Sequence, residues 1–367
     1  MRRVTAWSLL LCLAALHAQP ADAASAAYKL GVAAPLTGPL AKMGADIRQG
    51  VQLAVDEVNA GGGFRGQKVE LVVGDDKGDP REGMVVASKL VQSGVLGVVG
   101  HLNSGISIPA SKEVYAPASV AMVTPASTNP QLTERGLRNV FRTIGRDDQQ
   151  GKDAAAHVLA RGIRKVAVLD NKNAYGQGLA DVFRRTFVAG GGEIVLSDSV
   201  TSGDKDFTPT LTRIKARRPE LLFFGGEYQD AGLLARQARR VGIRVPVMGG
   251  DGILDGTFVT LAGQKAAEGT LATGPGGSSQ KGFKVVYTKR FGEPGAYSAY
   301  AYDAAHVLMA AMARAGKADR KAVLAAVAST RNHPGATGKI TFDRKGDQPN
   351  FKFSVWTVQD GRFQLLP

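Results

Sequence analysis

From Tyr28 onward, short apolar runs alternate with segments whose apolar residues recur at helical spacing, and this alternation restricts the chain to the α/β class. The run Tyr28 to Pro35 predicts a strand, broken by Leu36-Thr37-Gly38-Pro39. Ile47, Val51, Ala54, Val55 and Val58 then share one face of a helix that Gly61-Gly62-Gly63 stops. Val69 to Val73, Val95 to Val99 and Val120 to Val123 predict further strands, with a helix from Arg81 to Gln92 before the second of these. The pattern restarts after Thr143-Ile144-Gly145. Strands are expected at Lys165 to Leu169, Glu193 to Leu196, Leu221 to Phe224 and Val245 to Met248, each separated from the next by a helix. Two doubly wound parallel sheets in tandem follow. Beyond Gly274 the pattern is mostly helical, over Phe283 to Arg290, Ala299 to Ala315 and Arg320 to Ala328. Two strands close the chain, at Lys339 to Phe342 and Phe351 to Val358. Late helices with no strands between them return to cover an earlier sheet.

The stretch Val95-Leu96-Gly97-Val98-Val99-Gly100-His101-Leu102-Asn103-Ser104-Gly105 carries the most chemistry. A strand buried on both faces feeds a helix, Ser104 to Tyr115, through a short polar turn. Such a turn sets unpaired backbone N–H groups and the Ser104 hydroxyl at the carboxyl edge of a parallel sheet. About twenty residues later Val120 to Val123 runs into Thr124-Pro125-Ala126-Ser127-Thr128 in the same way. Each seat alone is an ordinary N-cap or loop. Together they can hold both oxygens of one carboxylate through hydroxyls and amides, which makes a small-molecule acid the expected ligand.

The first residues follow another logic. Met1-Arg2-Arg3 is basic, Ala6 to Leu16 is apolar but too short to span a bilayer, and Ala21-Asp22-Ala23 or Ala24-Ser25-Ala26 offers a small-x-small cleavage site. A secretory signal peptide over residues 1–26 is the expectation. It contains the single cysteine, Cys12, so no disulfide, Cys-based metal site or thiol nucleophile is expected in the exported part. No second apolar run is long enough to cross a membrane. The formal charge of +14 stays strongly positive when Arg2, Arg3 and Asp22 are removed, yet export excludes a nucleic-acid partner. The pairs Arg184-Arg185, Arg217-Arg218 and Arg239-Arg240 fall where helices end or face water.

Catalytic patterns are missing. There is no Gly-x-Ser-x-Gly elbow and no phosphate loop, and Gly176-Gln177-Gly178 lacks the third glycine of a dinucleotide fingerprint. His101, His157, His306 and His333 show no metal-ligand spacing, and His101, at the end of a buried strand, is expected to be a packed, hydrogen-bonded residue. Asp75 and Asp76 point to opposite sides of an extended chain, which argues against a paired acid/base role. Neither enzymatic activity nor a cofactor or metal is expected.

Four blocks now combine. Gly100-His101-Leu102-Asn103-Ser104, then Thr124-Pro125-Ala126-Ser127-Thr128-Asn129-Pro130-Gln131-Leu132-Thr133-Glu134-Arg135-Gly136, Tyr175-Gly176-Gln177-Gly178 and Met248-Gly249-Gly250-Asp251-Gly252 resemble the leucine/isoleucine/valine-binding proteins. These are extracytoplasmic receptors of branched-chain amino acid ABC transporters, and the resemblance runs from about Tyr28 to the C-terminus. It implies a type I periplasmic binding fold: two α/β lobes, 27–145 with 275–351 and 146–274 with 352–367, joined by three crossovers and closing like a hinged trap. It also implies a monomeric periplasmic protein that delivers an amino acid, branched-chain or similarly apolar, to a permease. A sensor of the same fold, or a receptor for a non-branched or polar amino acid, an amide or an aromatic acid, is the alternative.

The resemblance further implies site roles. Ser104 and Thr128 would bind the ligand carboxylate, and Ala126 would offer backbone atoms near the α-ammonium. Asp251 would neutralise that ammonium, where the family has an acid one carbon longer. Tyr175, Tyr297 and Met43 would line the side-chain pocket, and Ser127 would also bind the ligand. Asn103 and Lys77 stand where classic-type members form a disulfide, so Asn103 would offer a polar edge. In Gly225-Gly226-Glu227-Tyr228 an acid replaces the family's aromatic. Glu227 either favours the N-terminus of its helix or reaches the ligand, favouring an added hydroxyl or cation; the sequence leaves both open.

Overall fold

The computed structural model describes residues 28–64, 66–276 and 281–367; the expected signal peptide lies outside them. Strands β1 (Tyr28–Ala34), β2 (Val69–Asp75), β3 (Gly97–Gly100), β4 (Ala121–Thr124) and β5 (Val140–Arg142) form a five-stranded parallel sheet in the order β2-β1-β3-β4-β5. Between them run α1 (Ala41–Ala60), α2 (Pro80–Gln92), α3 (Ser104–Ala110) and the short α4 (Gln131–Glu134). Side chains alternate across this sheet with the period of two that extended chains impose. Leu30, Val32, Val99, Ala121 and Val123 pack in one core, while Ala33, Val98 and Met122 join Val86, Leu90 and Tyr115 in another.

The chain then builds a second unit from α5 (Asp147–Ala160), β6 (Lys165–Asp170), α6 (Ala174–Ala189), β7 (Glu193–Ser199), α7 (Thr208–Ala216), β8 (Leu221–Gly225) and α8 (Tyr228–Arg240). It continues through β9 (Val247–Gly249), α9 (Gly256–Ala262), α10 (Gln264–Ala267) and β10 (Leu271–Pro275). Three helices follow, α11 (Lys281–Phe291), α12 (Ser298–Ala315) and α13 (Arg320–Ala328). Of these, α12 packs along α1 and over β1, β3 and β4, on the first sheet. A small hairpin, β11 (His333–Gly335) with β12 (Gly338–Ile340), precedes β13 (Phe353–Gln359) and β14 (Arg362–Leu365). These last two return to the second sheet, whose order is β14-β13-β10-β9-β8-β6-β7. The chain therefore passes between the two sheets after β5, after β10 and before β13.

Several elements depart from expectation. The helix from Ser104 to Tyr115 is α-helical only to Ala110 and widens to π geometry over Ser111–Tyr115, just after Pro109 removes a backbone donor. The second sheet is parallel through β10 but ends in an antiparallel pair, because β13 and β14 are joined by the tight turn at Asp360-Gly361. The strand expected at Lys339 to Phe342 shrinks to Gly338–Ile340 in a two-stranded hairpin off both main sheets.

Candidate functional site

The carboxyl end of β3 is set by one close approach. Gly100 has φ +141°, and a Cβ there would lie 2.3 Å from the Ala33 carbonyl oxygen, so only glycine lets β3 and the following turn lie against β1. His101 is fully buried, with Nδ1 2.7 Å from Asp76 Oδ2 and Nε2 3.0 Å from Tyr115 Oη. Both ring nitrogens are thus engaged, one by a carboxylate and the other by a phenol. The ring is committed to holding the turn. Its backbone carbonyl accepts from Thr124 Oγ1 at 2.9 Å, which ties the β3 turn to the turn after β4 and brings the two seats side by side.

In the second unit another pair of glycines decides the geometry. A Cβ on Gly225 would lie 2.2 Å from the Gly176 carbonyl oxygen, and one on Gly176 would lie 2.5 Å from that of Gly225. Their contact draws the start of α6 onto the end of β8, placing Tyr175 and Glu227 at one edge.

Met43, Asn103, Ser104, Ala126, Tyr175, Glu227 and Tyr297 wall a small cavity between the two sheets, together with Leu102 and Gly252, which the sequence did not single out. A larger hollow, bordered by Lys42, Asp255, Tyr300 and Trp356, contains none of the expected site residues. The smaller one is the candidate because it brings together expected site residues from both units and carries the buried, unpartnered Asn103 Oδ1 on its wall.

Ser104 is 1% exposed, begins α3, and its Oγ accepts from the Asn129 amide at 3.3 Å. Thr128 is buried and stands outside the cavity wall, with its hydroxyl bonded to the Asp147 carboxylate. Ser127 is a correction: its Oγ lies 2.7 Å from Ser107 Oγ and 3.0 Å from the Leu102 carbonyl oxygen, so internal bonds hold it away from the cavity. Asp251 is also set back from the wall. Its Oδ1 accepts from Tyr175 Oη and its Oδ2 from Tyr297 Oη, both at 2.9 Å, and burial pushes its carboxyl above the usual range against the pull of those phenols. Tyr175 stands on the second unit and Tyr297 at the start of α12, so this carboxylate joins the two sheets.

Glu227 sits at the N-cap of α8, yet its side chain makes no capping bond. Its Oε2 accepts from Asn171 Nδ2 at 2.6 Å, both oxygens accept from Asn173 Nδ2 at 2.9 Å, and Oε1 accepts from Asn103 Nδ2 at 3.3 Å. Burial, opposed by the Asn171 bond, pushes its carboxyl up to about 7. Asn171 and Asn173 escaped the sequence reading because an Asn after a strand and an Asn before a helix look like ordinary turn and cap residues. Asp147 escaped for a similar reason. It reads as a first-turn acid, but it is fully buried, and burial, aided by the charge of Asp251 and opposed by a hydrogen bond from Thr128, holds its carboxyl well above the usual range.

Two α/β units with a small polar-ended cavity between them, and side chains from both reaching across it, define a two-lobed binding protein. Residues 27–362 match the periplasmic binding protein family, and the chain belongs to it. Members of that family bind solutes and do not transform them. The chain is 41% identical over 348 residues to the Leu/Ile/Val-binding protein BraC3 of Rhizobium johnstonii, covering 93% of this chain and 94% of that one. It is 38% identical over 349 residues to Leu/Ile/Val-binding protein homolog 3 of Brucella melitensis, covering 93% and 94%. Its fold is similar to that of the leucine-binding protein LivK of Thermotoga maritima, at 32% identity and TM-score 0.85 over 93% of this chain and 98% of that one. It is equally similar to LivJ of Streptococcus pneumoniae in complex with isoleucine, at 30% identity and TM-score 0.85 over 93% and 99%. Among the described residues no helix is long and apolar enough to cross a membrane.

Proposed function

We propose that the protein is a periplasmic receptor that captures a small α-amino acid, branched-chain or of similar size, and hands it to an ABC permease. The observation that carries this reading is the fully buried Asp251, gripped by a phenol from each side of the cavity. A desolvated carboxylate in that position calls for a cation, and an α-ammonium supplies one. Ser104, through hydroxyl and amide, and Thr128, through its hydroxyl, clasp the ligand carboxylate, while Ala126 contributes backbone atoms near the ammonium. Tyr175, Tyr297 and Met43 enclose the side chain.

Residues 27–145 with 275–351 and 146–274 with 352–367 act as lobes that close on the ligand, in a monomer exported by cleavage of the N-terminal signal. Bonds across the cleft, such as Tyr228 Oη donating to the Pro39 carbonyl at 2.8 Å and Asn129 Nδ2 to that of Ala174 at 2.6 Å, support a closed arrangement. The similarity to isoleucine- and leucine-binding receptors supports an aliphatic side chain.

The test is calorimetric titration with the common amino acids. Leucine, isoleucine or valine should bind, and Asp251→Ala or Ser104→Ala should each cost about 2–5 kcal/mol, some thirtyfold or more, by leaving a buried ligand charge unpaired. Full affinity in both variants would reject the site.

A further inference from the structure

Four connections that enter the second sheet share a property that ligand capture leaves unused. Strands β6, β8, β9 and β10 are parallel neighbours, so the segments before them all reach the sheet at its amino edge, whereas Tyr175, Glu227 and Asp251 follow the carboxyl ends. Residues 161–165, 215–220, 239–246 and 264–270 lead into these strands and hold ten lysines and arginines against two acids, Glu220 and Glu268. Backbone amides already occupy both acids. Glu220 Oε2 accepts from Arg164 and Lys165 at 2.6 and 2.9 Å, and Glu268 Oε1 from Asp360 at 3.3 Å. None of the ten cations enters an ion pair among the described residues.

Arg239, Arg244 and Lys265, with Ala266, surround an open recess on this edge. Arg239 is pinned there by Nη1, which donates to the Ile243 and Val245 carbonyls at 3.2 and 3.3 Å, and burial together with the charge of Arg244 lowers its pKa from the usual value. The helix macrodipole accounts for Arg239 and Arg240 in the last turn of α8. It does not account for Arg164, Lys165 or Arg244, which stand beyond the helix ends. Charge left unneutralised over four connections calls for an extended anion. A protein interface would need an apolar centre, and no large apolar side chain in these connections is exposed. A bilayer of anionic headgroups needs only charge within reach of long, flexible cations, and Arg240, Arg244 and Lys265 are exposed.

We propose that the amino edge of the second sheet docks on an anionic phospholipid bilayer, with a headgroup phosphate in the recess between Arg239, Arg244 and Lys265. The periplasmic location proposed for the chain puts such a surface within reach. Because the cavity lies beyond the opposite ends of the strands, the docked protein still takes up ligand.

The experiment is cosedimentation of residues 27–367, which hold every described element, with phosphatidylcholine vesicles made with or without one-third phosphatidylglycerol. Wild type should bind the anionic vesicles at least about tenfold more tightly than the neutral ones, and less tightly as salt rises toward about 1 M. Arg240→Glu, Arg244→Glu and Lys265→Glu combined should weaken that binding by about thirtyfold or more. A control of equal net charge, with Lys112→Glu, Arg138→Glu and Lys317→Glu at exposed positions around the first sheet, should stay within about threefold of wild type. Circular dichroism melts establish folding; if the triple variant fails, Arg244→Gln with Lys265→Gln should still lose about tenfold. Equal losses in the edge and control variants would overturn the proposal, since net charge alone would then explain the binding. So would equal binding to both kinds of vesicle, or saturable uptake of inorganic phosphate without vesicle binding, which would make the recess a site for the free anion. Amino-acid titrations of the same variants should match wild type, so the outcome here is separate from that of the receptor reading.

Discussion

Glu227 carries an ionisable group where burial holds its carboxyl at about 7, up from its ordinary 4.5. Between those values the folded chain binds more protons at this site than the unfolded chain. Its contribution to stability is therefore full below about pH 4.5 and declines as the pH rises to about 7. Asp46, held at about 6 by burial against the pull of Lys42, acts in the same sense over a lower window. Glu227→Gln should flatten the upper part of this decline, so that the variant gains on the wild type between pH 5 and 7 by about 1 kcal/mol or more in denaturant melts. An unaltered pH slope would show that Glu227 titrates as an exposed acid.

At the level of elements, two kinds of glycine are distinguishable. Gly225 has the Gly176 carbonyl 2.2 Å from where its Cβ would be, so Gly225→Ala must part α6 from β8. That should cost about 1–3 kcal/mol, as overpacking does, and weaken ligand binding because Tyr175 and Glu227 shift with those elements. Gly61, which ends α1 at φ −77°, has its nearest such neighbour at 3.5 Å, so Gly61→Ala should be neutral or stabilising by about 0.4–1 kcal/mol. Caps can be read the same way. Asp319 accepts the Ala322 amide at 2.8 Å at the start of α13, and Asp319→Ala should cost about 1 kcal/mol in stability while leaving amino-acid affinity unchanged. Thermal melts paired with titrations separate these outcomes.

For the molecule as a whole, stability and ligand occupancy are linked through the cleft. A buried network anchors the last crossover: Arg142 Nε donates to Asp347 Oδ1 at 2.6 Å, and Arg146 Nη1 to Oδ2 at 2.7 Å. Asp347→Ala leaves the fully buried Arg142 without that partner and should destabilise by about 3–5 kcal/mol. Ligand at 100 times its Kd should stabilise the wild type by about 2.7 kcal/mol, seen as a higher melting temperature. Small-angle scattering should show the protein contracting as ligand is added; identical profiles with and without ligand would argue against lobe closure.

The sequence by itself determined the order of strands and helices, because each central strand is apolar on both faces and each helix keeps a period near 3.6. It also marked the turns that carry Ser104, Thr128, Tyr175 and Asp251, since small and polar residues abruptly follow apolar runs there. It did not reveal β5, whose three residues lie between Asn139 and Thr143, nor β14, whose place at the sheet edge depends on a tight turn after β13 and on the pairing of β13 with β10, far away in the chain. Only tertiary structure decided that Ser127 turns inward, that Asp251 stands behind two phenols, and that Glu227 is held by Asn171, Asn173 and Asn103. Local pattern reports which face of an element is buried. Which distant polar atoms meet there depends on how closely the elements approach, and at Gly100, Gly176 and Gly225 that approach leaves no room for a Cβ.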